Sequence, residues 1–163
     1  MKKLRLLKTI NTLLVIALTM TLLLVWLVVG GEFVKKYWYV FVVGFYAIML
    51  LFKYFLFGSD NVLWFALCLI LFTAYMVLFH LQLVEFSSYP LLVLIPSFIS
   101  LLVFLIYKNI LHLSLFILFL FNGWPLFLMS LKLVNNWWFL LISTLSSIVG
   151  LVIINVIYYN YKR

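Results

Sequence analysis

The stretch PLLVLIPSFISLLVFLIYKNILHLSLFILFLFNGWPLFLMSL, residues 90–131, has its main polar break at Lys108-Asn109, and that break decides the fold. As one helix it would extend about 63 Å at 1.5 Å per residue, twice the hydrocarbon thickness of a bilayer. Cut at Lys108-Asn109, it becomes two helices, each close to the length that crosses a membrane. Continuous apolar runs in place of short alternating strands argue against a transmembrane barrel. Backbone polar groups in lipid must then be satisfied within each helix.

The same pattern of long apolar run and short polar break continues on both sides. It predicts spans over about Thr9–Gly30, Tyr37–Phe57, Asn61–His80, Pro90–Tyr107, Ile110–Leu131 and Trp137–Tyr158. The expected fold class is therefore all-α: a polytopic transmembrane helical bundle of about six spans, forming a single integral membrane domain. Composition agrees, because 69% of the 163 residues are hydrophobic and 9% are charged. A soluble domain carries about 25% charged residues and needs them to face water. Here the solvent is lipid.

Lys and Arg set the expected orientation. With the N-terminus inside, Lys2, Lys3, Arg5, Lys8, Lys53, Lys108, Lys162 and Arg163 lie at cytoplasmic edges, and Lys35, Lys36 and Lys132 at outer ones. The excess inside matches the positive-inside rule and places both termini in the cytoplasm. The apolar run after Lys8 is longer than a signal-peptide core and lacks a small-residue cleavage site, so it reads as a retained anchor. Heavy use of Phe, Tyr, Lys and Asn points to a prokaryotic cell membrane, inner or plasma. The net charge of +8 is spread over termini and span edges rather than a polar patch, so nucleic acid is not an expected partner. The expected partners are the bilayer and another membrane protein or a second copy.

Residues able to carry chemistry are few. Cys68 stands alone in an apolar run, and no metal-ligand, nucleophile or phosphate-loop motif is present. No metal or cofactor is expected, and the reading leans away from an enzyme. No Asp, Glu, Lys, Arg or His falls near a span centre, where transport and proton relay usually need one. The interfacial polar candidates are His80 with Glu85, and Asp60 with His112. Either pair would serve a lipid-modifying site only if the chain brought its members together, and each also suits a helix end. Asn61, Asn109 and Asn135 stand at span entrances, where Asn is a good cap.

Two stretches stand out within the spans. Asn122-Gly123-Trp124-Pro125 interrupts the fifth, since Pro125 cannot donate to the Phe121 carbonyl, and a kink is expected there. Pro96, followed by Ser97, does the same to the Leu92 carbonyl in the fourth. These six residues are ligand-cavity candidates, although packing against neighbours is the commoner use of such features. In the sixth span Ser143, Ser146, Ser147 and Gly150 form a small-residue stripe suited to helix packing. The leading functional expectation is a non-catalytic accessory or scaffold subunit. A transporter or binding subunit for a neutral or lipophilic solute comes second, and an interfacial lipid-modifying enzyme third.

Overall fold

The computed structural model describes residues 2–84, 90–134 and 136–161. Glu85 and its neighbours 86–89, Asn135, Lys162 and Arg163 lie outside them. The described residues form six helices: α1 (Lys2–Val29), α2 (Gly31–Phe57), α3 (Asp60–His80), α4 (Leu91–Tyr107), α5 (Ile110–Ser130) and α6 (Trp137–Tyr161). Five of them are long and apolar enough to cross a membrane, and α4, with 17 residues, is the short one.

Two helices extend beyond the apolar runs that mark the expected spans. α1 runs back through the basic segment to Lys2, and α2 starts at Gly31 rather than Tyr37. Lys, Arg, Leu and Glu are good helix formers, so the helix persists where apolarity stops. Glu32 in the first turn of α2 suits the positive end of the helix and pairs with Lys35 at 2.9 Å.

The links are short. Gly30 alone separates α1 from α2, at φ 107° and ψ 157°. Gly58 ends α2 in the left-handed conformation, and its N–H donates to the Tyr54 carbonyl at 2.7 Å. Lys108 ends α4 the same way, donating to Phe104 at 2.7 Å. Asn109 then opens α5, its side-chain oxygen accepting from the Leu111 N–H. At the start of α6 the capping side chain is Asn136, which accepts from the Trp138 N–H.

α3 and α5 each finish in a Schellman arrangement. Leu83 N–H reaches Leu78 O while Gln82 N–H reaches Phe79 O, and Leu133 and Lys132 repeat this on Leu128 and Met129. Gln82, Lys108 and Lys132 all hold positive φ, where glycine is usual. A long polar side chain there loses some backbone ease but can carry its polar head past the apolar end of the helix.

The chain divides into two compact units, residues 1–77 and 78–163. In the first, α1 packs along α2 without burying a single residue of its own. Ala47 of α2 and Ala66 of α3 are buried, and α2 comes close to α3 at Gly44, which faces the Thr73 methyl. In the second unit α5 packs against both α4 and α6. Its buried side chains include Ile99, Val103, Ser97, Ser100, His112, Pro125 and Ser147. The polar members of that set set the terms of the packing.

Candidate functional site

Among the described residues, several polar contacts gather where α5 meets α6. Pro125 has no N–H, so the carbonyl of Phe121, four residues back, loses its helical donor. The Ser143 hydroxyl of α6 donates to that carbonyl. One turn of α5 therefore draws its missing hydrogen bond from the neighbouring helix, and α5 remains helical through Pro125 to Ser130. Beside it, Thr144 donates to the Asn122 side-chain oxygen at 2.9 Å, and the Asn122 amide donates to Leu118 O at 2.7 Å. The Phe121 carbonyl and the Asn122 side chain are thus both tied into the protein. Asn122 is spent on the helix pair.

The small-residue stripe divides between two faces. Ser143 reaches Phe121, Ser147 is fully buried, and a Cβ on Gly150 would sit 3.5 Å from the Ile117 methyl of α5. Ser146 points elsewhere and is exposed. It lines an open groove of about 570 Å³ together with Leu120, Phe121, Trp124, Pro125, Phe139, Ile142 and Ser143. A second recess of about 420 Å³ shares Phe121, Ile142 and Ser146 with it and extends past Gly150 to Ile153. The two form one seam along α6, about 21 Å from Phe139 to Ile153 at helical rise.

Of the ligand-cavity candidates, Trp124 and Pro125 line this groove. Gly123 faces the other way, toward α4, where Leu94 and Val93 press against it. Pro96 lies inside α4, and Ser97 is buried with its hydroxyl donating to Phe116 O of α5 at 3.1 Å. The groove and the α4–α5 contact thus occupy opposite sides of α5. Sequence singles out the Phe121 carbonyl but not its ring, nor Thr144, Phe139 or Ile142. For Thr144 the signal was adjacency to Ser143; for the apolar three there was none, because Leu and Phe occur all round these helices.

The interfacial candidates are differently placed. His80 ends α3, half-buried, with its ring 5.8 Å from that of Phe79. Its sequence partner Glu85 lies outside the described residues. Asp60 begins α3 in the first unit and accepts from the Asn61 N–H at 2.9 Å. His112 belongs to the second unit, where its ring is 1% exposed in the first turn of α5. Among the described residues no three His, Cys, Asp or Glu side chains gather in a way that would hold a metal ion.

The Ser143 contact gives a direct test. Ser143→Ala leaves the Phe121 carbonyl without its donor, at a cost of about 0.5–2 kcal/mol. Pro125→Ala restores the intrahelical N–H, so Ser143→Ala should cost little in that background. Melting of the four proteins in one detergent reads the coupling. Additive losses would show that Ser143 does not serve the proline gap.

Comparison with known proteins returns no relative: no family model, curated protein or solved structure matches the chain.

Proposed function

We propose that the protein is a six-span integral component of a prokaryotic cell membrane, with both termini cytoplasmic, working as a non-catalytic accessory or scaffold subunit. It binds a helix of another membrane protein, or of a second copy, along the α5–α6 seam. The orientation rests on eight cations at the inner edges against three at the outer ones. The docking reading rests on the seam itself. Most polar groups at the centre of the second unit are engaged internally, yet an open apolar channel about four turns long remains beside them. Ser146 and Gly150, four residues apart, both line its second recess. Small residues at that spacing let a helix backbone come close, and van der Waals packing is what joins helices in lipid.

Ser146→Trp fills the seam without touching the buried contacts. Purified in a mild detergent, the unaltered protein is expected to carry a stoichiometric membrane companion, whose mass distinguishes a second copy from another protein. The variant should lose that companion while melting at the same temperature. A lone monomer in the unaltered preparation would sink the proposal.

One observation favours a second reading. The groove presents the Trp124, Phe121 and Phe139 rings beside the Ser143 and Ser146 hydroxyls, a lining suited to a neutral lipophilic solute. Thermal stabilisation by such a solute, abolished by the same Ser146→Trp change, would transfer the seam from partner to ligand.

A further inference from the structure

We propose that the cytoplasmic end of the α1–α2 hairpin is a cationic collar that binds anionic phospholipid headgroups, an inference that rests on the membrane placement above. The apolar part of α1, Thr9–Val29, rises about 31 Å, which fills the hydrocarbon core. The same helix continues without a break to Lys2. Lys2, Lys3, Arg5 and Lys8 therefore occupy a further stretch of about 10 Å, the depth of the headgroup layer.

The reversal at Gly30 adds a fifth cation. Lys8 precedes Gly30 by about 33 Å of helix and Lys53 follows it by about 34 Å, so the antiparallel pair brings the two level. All five are exposed. The carboxylate nearest in sequence is Asp60, which accepts from the Asn61 N–H at the start of α3. Glu32 belongs to the opposite end of the hairpin and pairs there with Lys35. α1 gains nothing for itself from these cations, because positive charge at a helix N-terminus opposes the dipole. Their compensation comes from outside the hairpin.

Their arrangement identifies the compensating group. At 100° per residue, Lys2, Lys3, Arg5 and Lys8 cover roughly 220° of the helix circumference. An acidic protein surface meets one side of a helix. A layer of phosphodiester headgroups meets every side, at the depth where these side chains end. Each cation near such a surface adds to the attraction, and the attraction is screened by salt.

The test uses the full chain in bilayer discs of equimolar phosphatidylglycerol and phosphatidylcholine, with retained lipid measured after transfer to detergent. The unaltered protein is expected to retain phosphatidylglycerol about fivefold over phosphatidylcholine. Lys2→Gln, Lys3→Gln, Arg5→Gln and Lys8→Gln combined should bring the ratio close to one. A second arm needs no variant: about 0.5 M salt should erode the preference of the unaltered protein. A ratio of one in the unaltered protein, or a preference indifferent to both salt and substitution, overturns the collar. Failure to enter phosphatidylcholine discs as well would overturn the membrane placement beneath it, so the two failures are told apart.

Discussion

Replacing Gly30 by valine is expected to break the reversal between α1 and α2. At φ 107° and ψ 157° the backbone occupies a region essentially restricted to glycine, and a Cβ there meets its own chain whatever the surrounding space. The strain is about 1–3 kcal/mol for a side chain in general, and a β-branched one belongs at the upper end. Nothing else in the link can absorb it, because Val29 and Gly31 already belong to helices. The chain must unwind a turn or run on as one helix. In a Cys68→Ala background, Lys2→Cys and Ser59→Cys should react with an impermeant thiol reagent from the same side of the membrane. Gly30→Val should destroy that agreement in a large share of molecules. Unchanged labelling and melting would show that the reversal does not depend on this residue.

Gly123→Leu is the second large effect. On the α4 side of α5, a Cβ at Gly123 would stand 2.9 Å from Leu94 Cδ2 and 3.2 Å from Val93 Cγ1. A single methyl is accommodated if the end of Leu94 turns away. Leucine adds a volume that only separation of the helices can admit. That contact buries Ser97, Ile99, Ser100 and Val103 on α4, so its loss reaches the core of the second unit. Overpacking of this kind costs about 1–3 kcal/mol, a fall of roughly 3–10 °C in melting temperature. Gly44→Ala is the control. Its Cβ would rest 3.4 Å from the Thr73 methyl, an ordinary contact, and alanine favours the helix by about 1 kcal/mol. If Gly123→Leu melts like Gly44→Ala, the α4–α5 contact is looser than described.

Hydropathy located six helices because apolar runs and polar breaks are properties of single segments. Two helices run past the apolar limits of the expected spans, because helix formation continues through Lys, Arg and Glu after apolarity ends. The orphaned Phe121 carbonyl was legible from Pro125 alone. Its donor was not, since Ser143 lies 22 residues away and only the packing of α6 on α5 brings them together. The small-residue stripe pointed to a packing face on α6, but the turning of Ser146 away from Ser147 depends on how the helix is rotated about its axis. The groove was invisible for the same reason. Its walls are ordinary Phe, Ile and Trp, and its shape is the space left between two helices.

The one- and two-residue joints at Gly30, Gly58-Ser59 and Lys108-Asn109 bear on how the chain is made as well as how it rests. A joint so short cannot stretch across a bilayer, so a helix emerging from the ribosome has its direction imposed by the one seated before it. α1, α2 and α3 are threaded as a train, and α4 commits α5. In the proposed membrane arrangement, α1–α3 and α4–α5 each insert upright or inverted as a group.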